Sequence, residues 1–381
     1  MIRPDPVLVA DAESFARMTE HLLSQPIVAV DSESDSLYSY FEKLCLLQFS
    51  VPGVDYILDT LAVRALDPLG ELFARPDIQK VFHAAEYDIM VIKRDFKLEF
   101  ANIFDTMAAA RILGWKQVGL GNILRDRFGV KLDKRFQRAD WGKRPLSPEE
   151  IAYARNDTHY LIELRNAQQN ELERKGRLHE AAEEFERLTH VEWAGHEFDP
   201  NRYYTIEGAR RLGPVELGIL RELYRFREET ARQADRPPFK IMSESTLFGL
   251  ARSQPASLPQ LGAIHGVGDW LIRRYGKGVL EAIERGRAHP QRTVPRLANR
   301  NGGRVPDVET RERYARLKEW RRQRALERGV ESDVIVSNDL LMLLARRNPH
   351  TSEELAGISG LGAWKAREYG EEILNILRHG Q

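Results

Sequence analysis

The sequence predicts a mixed α/β domain followed by two all-α units, and three observations carry that prediction. Apolar, β-branched runs at residues 7–10, 27–30, 44–51 and 56–59 are bounded by Pro, Gly, Asp and Ser, as strands are. Beyond them, strand and helix patterns alternate to about residue 190, which builds a mixed sheet flanked by helices. Finally, residues 223–286 match residues 317–380 without a gap at an offset of 94, with 20 identities in 64 pairs. Neither copy alternates as a strand would, so each reads as a bundle of four or five helices.

Bulk properties narrow the class. A chain of 381 residues exceeds one ordinary core, so two or three domains are expected. Its 42% hydrophobic and 30% charged residues describe a soluble globular protein. No apolar run reaches the roughly 18 residues a membrane span needs. The first residues, MIRPDPVLVADAESF, hold prolines and acids where a secretion signal needs an apolar stretch. The lone Cys45, inside LCLLQF, permits no intrachain disulfide and reads as core, which suits a cytoplasmic protein. Net charge is zero, but residues 1–190 hold 25 Lys+Arg against 31 Asp+Glu, and the remainder holds 32 against 26. An acidic half suited to cations thus joins a basic half suited to a polyanion.

The elements follow in order. Residues 7–10 read as a strand, then a helix begins near Asp11. Residues 27–34, 44–51 and 56–59 form an expected antiparallel meander, with a Pro52-Gly53 turn between the last two. A helix over 66–74, a strand over 80–83, a helix over 86–94, a strand over 103–106 and a helix over 107–113 follow. Residues 119–130 read as a helix ending at Gly129. Ser147-Pro148-Glu149-Glu150 starts another: serine caps, proline suits the first helical position, and the glutamate closes a capping box. That helix is expected to run to about Asn170.

Candidate chemistry begins in IVAVDSES, residues 27–34. Asp31 and Glu33 are two apart on a strand and so share a face. Paired carboxylates at a strand end repel unless a hard divalent cation lies between them; the alternative is two surface acids on a turn. Asp88 falls in the first turn of the helix over 86–94, where the helix dipole alone would favour an acid. Tyr153 and Asp157 lie one above the other on the helix that Ser147 starts. His83 closes a strand and reads as structural. Residues 111–144 carry ten Lys or Arg and three Asp, with Phe136 and Trp141 among them. Basic residues interleaved with aromatics can neutralise phosphates and stack bases; a solvated loop is the alternative.

Together, Asp31 and Glu33 in VDSES, Asp88 in HAAEYD, and Tyr153 with Asp157 in YARNDTHYL resemble the ribonuclease D family. These are DEDD 3′–5′ exonucleases of the subclass with tyrosine in the third motif. The stretch GVKLDKRFQRADWGKRPLSPEEIAYARNDTHYL is similar too, whereas residues 34–40 differ. The resemblance implies a ribonuclease H-like mixed sheet. It further implies that Asp31, Glu33, Asp88 and Asp157 are catalytic ligands of two divalent ions, Mg²⁺ or Mn²⁺, and that Tyr153 orients the attacking water. The implied partner is RNA with a free 3′ end, above all tRNA precursors, trimmed to nucleoside 5′-monophosphates without an obligate protein partner.

The repeated units resemble the HRDC domain, a helical bundle associated with nucleic-acid binding. Matching G-x-G turns, Gly266-x-Gly268 and Gly360-x-Gly362, could offer N–H groups to a phosphate or simply permit tight turns. The expected division is 1–195 for the exonuclease domain, 210–288 and 310–381 for the HRDC domains, and 289–309 for a Pro/Gly/Arg-rich linker. A 3′–5′ DNA exonuclease shares these acids, and contacts to the 2′-hydroxyl would discriminate the two. A non-catalytic RNA-binding scaffold is the third reading; it would not need all four acids.

Overall fold

A computed structural model of the chain describes residues 5–193, 195, 198–293 and 306–378. Most of the expected linker, residues 294–305, lies outside the described residues. The chain forms two compact units: Met1–Ser34, Leu44–Trp193 and Arg304–Gln381 in the first, Asp35–Lys43 and Ala194–Gly303 in the second.

The first unit is built on a six-stranded sheet of order β1-β4-β3-β2-β5-β6. Its strands are β1 (Val7–Val9), β2 (Ile27–Ser34), β3 (Leu44–Val51), β4 (Val54–Asp59), β5 (Gln79–Phe82) and β6 (Ile103–Asp105). The expected meander is present: β2, β3 and β4 pair antiparallel. β1, β5 and β6 add in parallel. Helices α1 (Ala12–Leu23), α2 (Leu69–Ala74), α3 (Glu86–Phe96), α4 (Thr106–Leu113), α5 (Leu120–Phe128), α6 (Pro148–His159), α7 (Leu161–Arg174) and α8 (Leu178–Thr189) complete the nuclease half. Strand alternation sends Val28 and Val30 into a core with Met18, Leu22, Leu72 and Ile89. Ala29 joins Ala109, Ile123, Leu161 and Leu164 on the opposite face. Each fully buried Leu or Ile contributes about 1.5–3 kcal/mol.

Local chemistry sets the boundaries. Asp11 caps α1 by accepting from Ser14 N at 2.9 Å. Both arms of the Ser147–Glu150 capping box form, at 3.2 and 2.7 Å. Thr106 enters a helix rather than the expected strand because Asp105 turns the chain, accepting from Met107 N and Ala108 N at 2.8 and 2.9 Å. The helix expected to reach Asn170 is two helices, broken at Tyr160. Side chains of the last turn of α6 are drawn to the sheet instead: Thr158 Oγ1 lies 2.7 Å from Ser50 Oγ, and His159 Nδ1 lies 2.8 Å from Asp55. Thr158 Oγ1 also bonds back to Arg155 O at 3.3 Å, the kind of local side-chain-to-backbone bond that bends a helix.

Each repeat has five helices. In the second unit they are α9 (Pro214–Gln233), α10 (Pro238–Ile241), α11 (Glu244–Ser253), α12 (Leu258–Gly262) and α13 (Asp269–Ala288). In the first unit they are α14 (Val308–Arg328), α15 (Ser332–Ile335), α16 (Asn338–Arg347), α17 (Ser352–Ala356) and α18 (Ala363–Arg378). Equivalent residues do equivalent work. Buried Arg227 and Arg321 donate to Met242 O and Val336 O at 3.3 and 2.8 Å. Ser243 and Ser337 cap α11 and α16.

Within the first unit, the second copy packs on α8. Glu180 takes both guanidinium nitrogens of Arg328, and Nη1 to Oε1 measures 2.9 Å. The Glu183 carboxylate accepts from Trp364 N and Lys365 N at 2.6 and 3.4 Å, so it fills the N-terminus of α18. Gly362 permits that approach: its φ is +79°, and a Cβ there would collide with Glu183. Among the described residues, no helix is long and apolar enough to cross a membrane.

Candidate active site

β2 delivers Asp31 and Glu33 to the sheet face that α6 covers, opposite Gln48 and Leu46 of β3. The register then slips between Glu33 and Ser34, a bulge of the kind that re-aims side chains at a strand end. Helix α6 supplies Tyr153 and Asp157 one turn apart, with the phenol donating to the carboxylate. Oxygens of Asp31, Glu33 and Asp157 come within 4.8 Å of one another. Asp88 arrives from α3, on the other face, and stands outside that close trio. Its carboxylate accepts from Ser32 Oγ, and Ser32 is the β2 residue that points to that face.

The electrostatics are those of a cluster short of positive charge. Burial pushes Asp31 well up, and the charges of Asp88, Asp157 and Glu33 add to it. Burial also raises Glu33, with help from Asp157 and Asp88. Asp157 is pushed up to about 7 by burial and by Asp88, against the Tyr153 hydrogen bond. Asp88 also rises to about 7, through burial opposed by the Ser32 hydroxyl. Tyr153 is raised by burial and then by Asp157, Glu33 and Asp31, so it remains a phenol and a donor. An all-oxygen donor set with excess negative charge fits a hard divalent cation. Beside it, the side chain of Gln48 is fully buried opposite Asp31, and its amide has no protein partner among the described residues. Such a group suits a site completed by an ion and its waters.

A pH dependence follows. In the metal-free chain Asp88 and Asp157 titrate near 7 when folded, against about 3.9 unfolded. The native state therefore holds more protons between these limits, and stability is lost as pH rises from about 4 through 7. Melting curves in EDTA should show that loss, and Asp157→Asn or added divalent ion should reduce it. A profile in EDTA that Asp157→Asn leaves unaltered would contradict the cluster.

The cavity in front of these acids, about 330 Å³, is also lined by His83, Gly119, Asn122, Lys134 and Tyr153. His83 Nδ1 is fixed by Thr106 Oγ1 at 2.9 Å, and burial lowers its pKa. Trp141, expected as a base-stacking residue, is instead buried and stacks on Tyr153 at 6.0 Å, holding the phenol in place. Sequence reasoning passed over Ser32 and Gln48. Their signal was a polar residue two places after a buried apolar one on the same face, Val30 before Ser32 and Leu46 before Gln48.

Comparisons with known proteins agree with this geometry. A 3′–5′ exonuclease family profile matches residues 6–173, and an HRDC profile matches residues 216–283 and 310–377. The chain is 31% identical to ribonuclease D of Gluconacetobacter diazotrophicus over 376 residues, covering 98% of this chain and 93% of that one. It is 31% identical to the exosome complex exonuclease RRP6 of Saccharomyces cerevisiae, over 66% of this chain and 37% of that protein. Among solved structures, the catalytic core of RRP6 from Trypanosoma brucei superposes with a TM-score of 0.69 at 29% identity, covering 75% of this chain and 81% of that one. Escherichia coli RNase D shares the fold, with a TM-score of 0.68 at 22% identity over 99% of this chain and all of that one. The mixed sheet, the clustered carboxylates and the paired HRDC bundles thus converge, and the chain belongs to the ribonuclease D family, hydrolases that act on RNA as 3′–5′ exoribonucleases.

Proposed function

We propose that Asp31, Glu33, Asp88 and Asp157 hold two divalent ions, Mg²⁺ or Mn²⁺, and that Tyr153 orients the attacking water. The observation that supports this is the approach of the Asp31, Glu33 and Asp157 oxygens to within 4.8 Å. When bound, such ions lower the pKa of water and offset charge on the phosphoryl group and the leaving 3′ oxygen. The protein does the rest. Ser32 steers Asp88, and Trp141 and Asp157 hold the Tyr153 phenol so that its oxygen can hydrogen-bond the water.

The substrates are RNAs with an accessible 3′ end, above all tRNA precursors, and the products are nucleoside 5′-monophosphates made in the cytoplasm without an obligate protein partner. Relatives named ribonuclease D, one described as an exoribonuclease in structured RNA processing, support this reading. Residues 1–195 form the nuclease domain, and 210–288 and 310–381 the HRDC domains, joined by 289–309. The test incubates the purified chain with 3′-extended tRNA and a matched DNA strand, with Mg²⁺, Mn²⁺ or EDTA, and identifies the released ends. Stepwise release of 5′-monophosphates from the RNA, abolished by EDTA, is expected. Equal digestion of DNA, or digestion that survives EDTA, would overturn it.

A further inference from the structure

A second cavity adjoins the carboxylates. It is larger, about 620 Å³, and is lined by Arg125 of α5 and by Lys131, Lys134 and Arg135 of the segment that follows. Asp133 is the single acid in its wall. The two cavities share Gly121, Asn122, Leu132 and Lys134, so they lie side by side. Half-buried Leu132 also lines a third hollow, beside Tyr153 and Asp157, and so stands where all three meet.

The fold gathers four cations of the basic tract, residues 111–144, against one carboxylate in this wall, within a half of the chain that carries more acids than bases. Local pairing does not use the charge up. Arg125 with Asp126 and Arg135 with Asp133, each at 2.8 Å, are exposed pairs. Exposed pairs are weak because water screens them, so an incoming phosphate can displace the acid. A solvated loop would need neither the hollow nor its place beside the carboxylate cavity.

We propose that this basic cavity is the subsite for phosphates of the nucleotides lying 5′ of the one removed. The proposal rests on the exonuclease reading, which fixes the 3′ end at the carboxylates. Single-stranded RNA approaching that point carries one phosphate per nucleotide, and a cationic groove tracks such a backbone. The phosphates would then face the guanidinium and ammonium groups of Arg125, Lys131, Lys134 and Arg135.

The test uses Arg125→Gln/Lys131→Gln, two exposed residues that do not line the carboxylate cavity. Binding of a hexanucleotide RNA is measured in an Asp157→Asn background from about 50 to 200 mM salt, where each lost phosphate contact on a single strand lowers the log–log slope by about 0.7. A slope reduced by about 1.4, restored by Arg125→Lys/Lys131→Arg, is the expected result. In the otherwise native chain, KM for the hexanucleotide should rise about tenfold with kcat nearly kept, and KM for a dinucleotide should rise far less. An unchanged slope overturns the subsite even when the native chain degrades RNA normally. Should the native chain fail to degrade RNA, the exonuclease reading falls, while a reduced slope would still assign the cavity to RNA. Equal rises in KM on both substrates would also overturn the proposal, because they would place the effect at the terminal nucleotide.

Discussion

Asp157→Asn is expected to lower hydrolysis of single-stranded RNA by about 10³-fold or more while leaving RNA affinity within a factor of about three. The substitution keeps shape and removes one charge from a trio whose oxygens approach within 4.8 Å. A factor of 10³ corresponds to about 4 kcal/mol of lost transition-state stabilisation, the size expected if the acid holds ions neutralising the phosphoryl charge, as proposed above. Binding survives because RNA is a polyanion, and neutralising a carboxylate beside it does not weaken attraction. The Tyr153 phenol keeps an acceptor in the carbonyl oxygen of the introduced amide, so the loss can be assigned to charge. Single-turnover cleavage and filter binding on one preparation provide the check. Turnover near the wild-type rate would remove Asp157 from the site.

Arg328→Met is expected to destabilise the chain by about 3–5 kcal/mol, because it strands a buried carboxylate. Glu180 has a side chain only 1% exposed, and Arg328 meets both its oxygens and also bonds the Tyr369 hydroxyl. The pair ties α8 to α14, so the lost stability should appear as a lower urea midpoint, or as early release of the second helical copy. Adding Glu180→Leu should recover most of the loss, since an apolar pair of similar volume carries no desolvation penalty. A single-variant loss under about 1 kcal/mol would show that water reaches Glu180 and that the pair is not a fastening.

The pairings within single elements were legible because their signals are local, whereas the grouping of all the acids into one candidate site came from the family resemblance. Strand alternation puts Asp31 with Glu33, and helical spacing puts Tyr153 over Asp157, whatever else the chain does. The same holds for the Asp11 cap, the Ser147 capping box and the repeat. What was not legible depends on partners far along the chain. The helix breaks at Tyr160, next to Thr158 and His159, whose side chains reach Ser50 and Asp55 more than a hundred residues away. Trp141 reads as an exposed aromatic in a basic loop until Tyr153 is found stacked on it. Asp88 is tuned by Ser32, 56 residues upstream, and nothing in either neighbourhood announces the pairing.

Duplicated modules are often treated as interchangeable, and the turn before α18 shows why these two are not. There Glu183 already acts as the anion, so an outside phosphate would have to evict a carboxylate of the protein itself. Gly268, the twin of Gly362, has open space around its would-be Cβ and a φ of −95°, so an alanine there meets no obstacle. A module swap would also set Asp269 where Ala363 now stands, bringing one carboxylate against another. The two copies therefore face different mutational constraints at the same letter of the same motif.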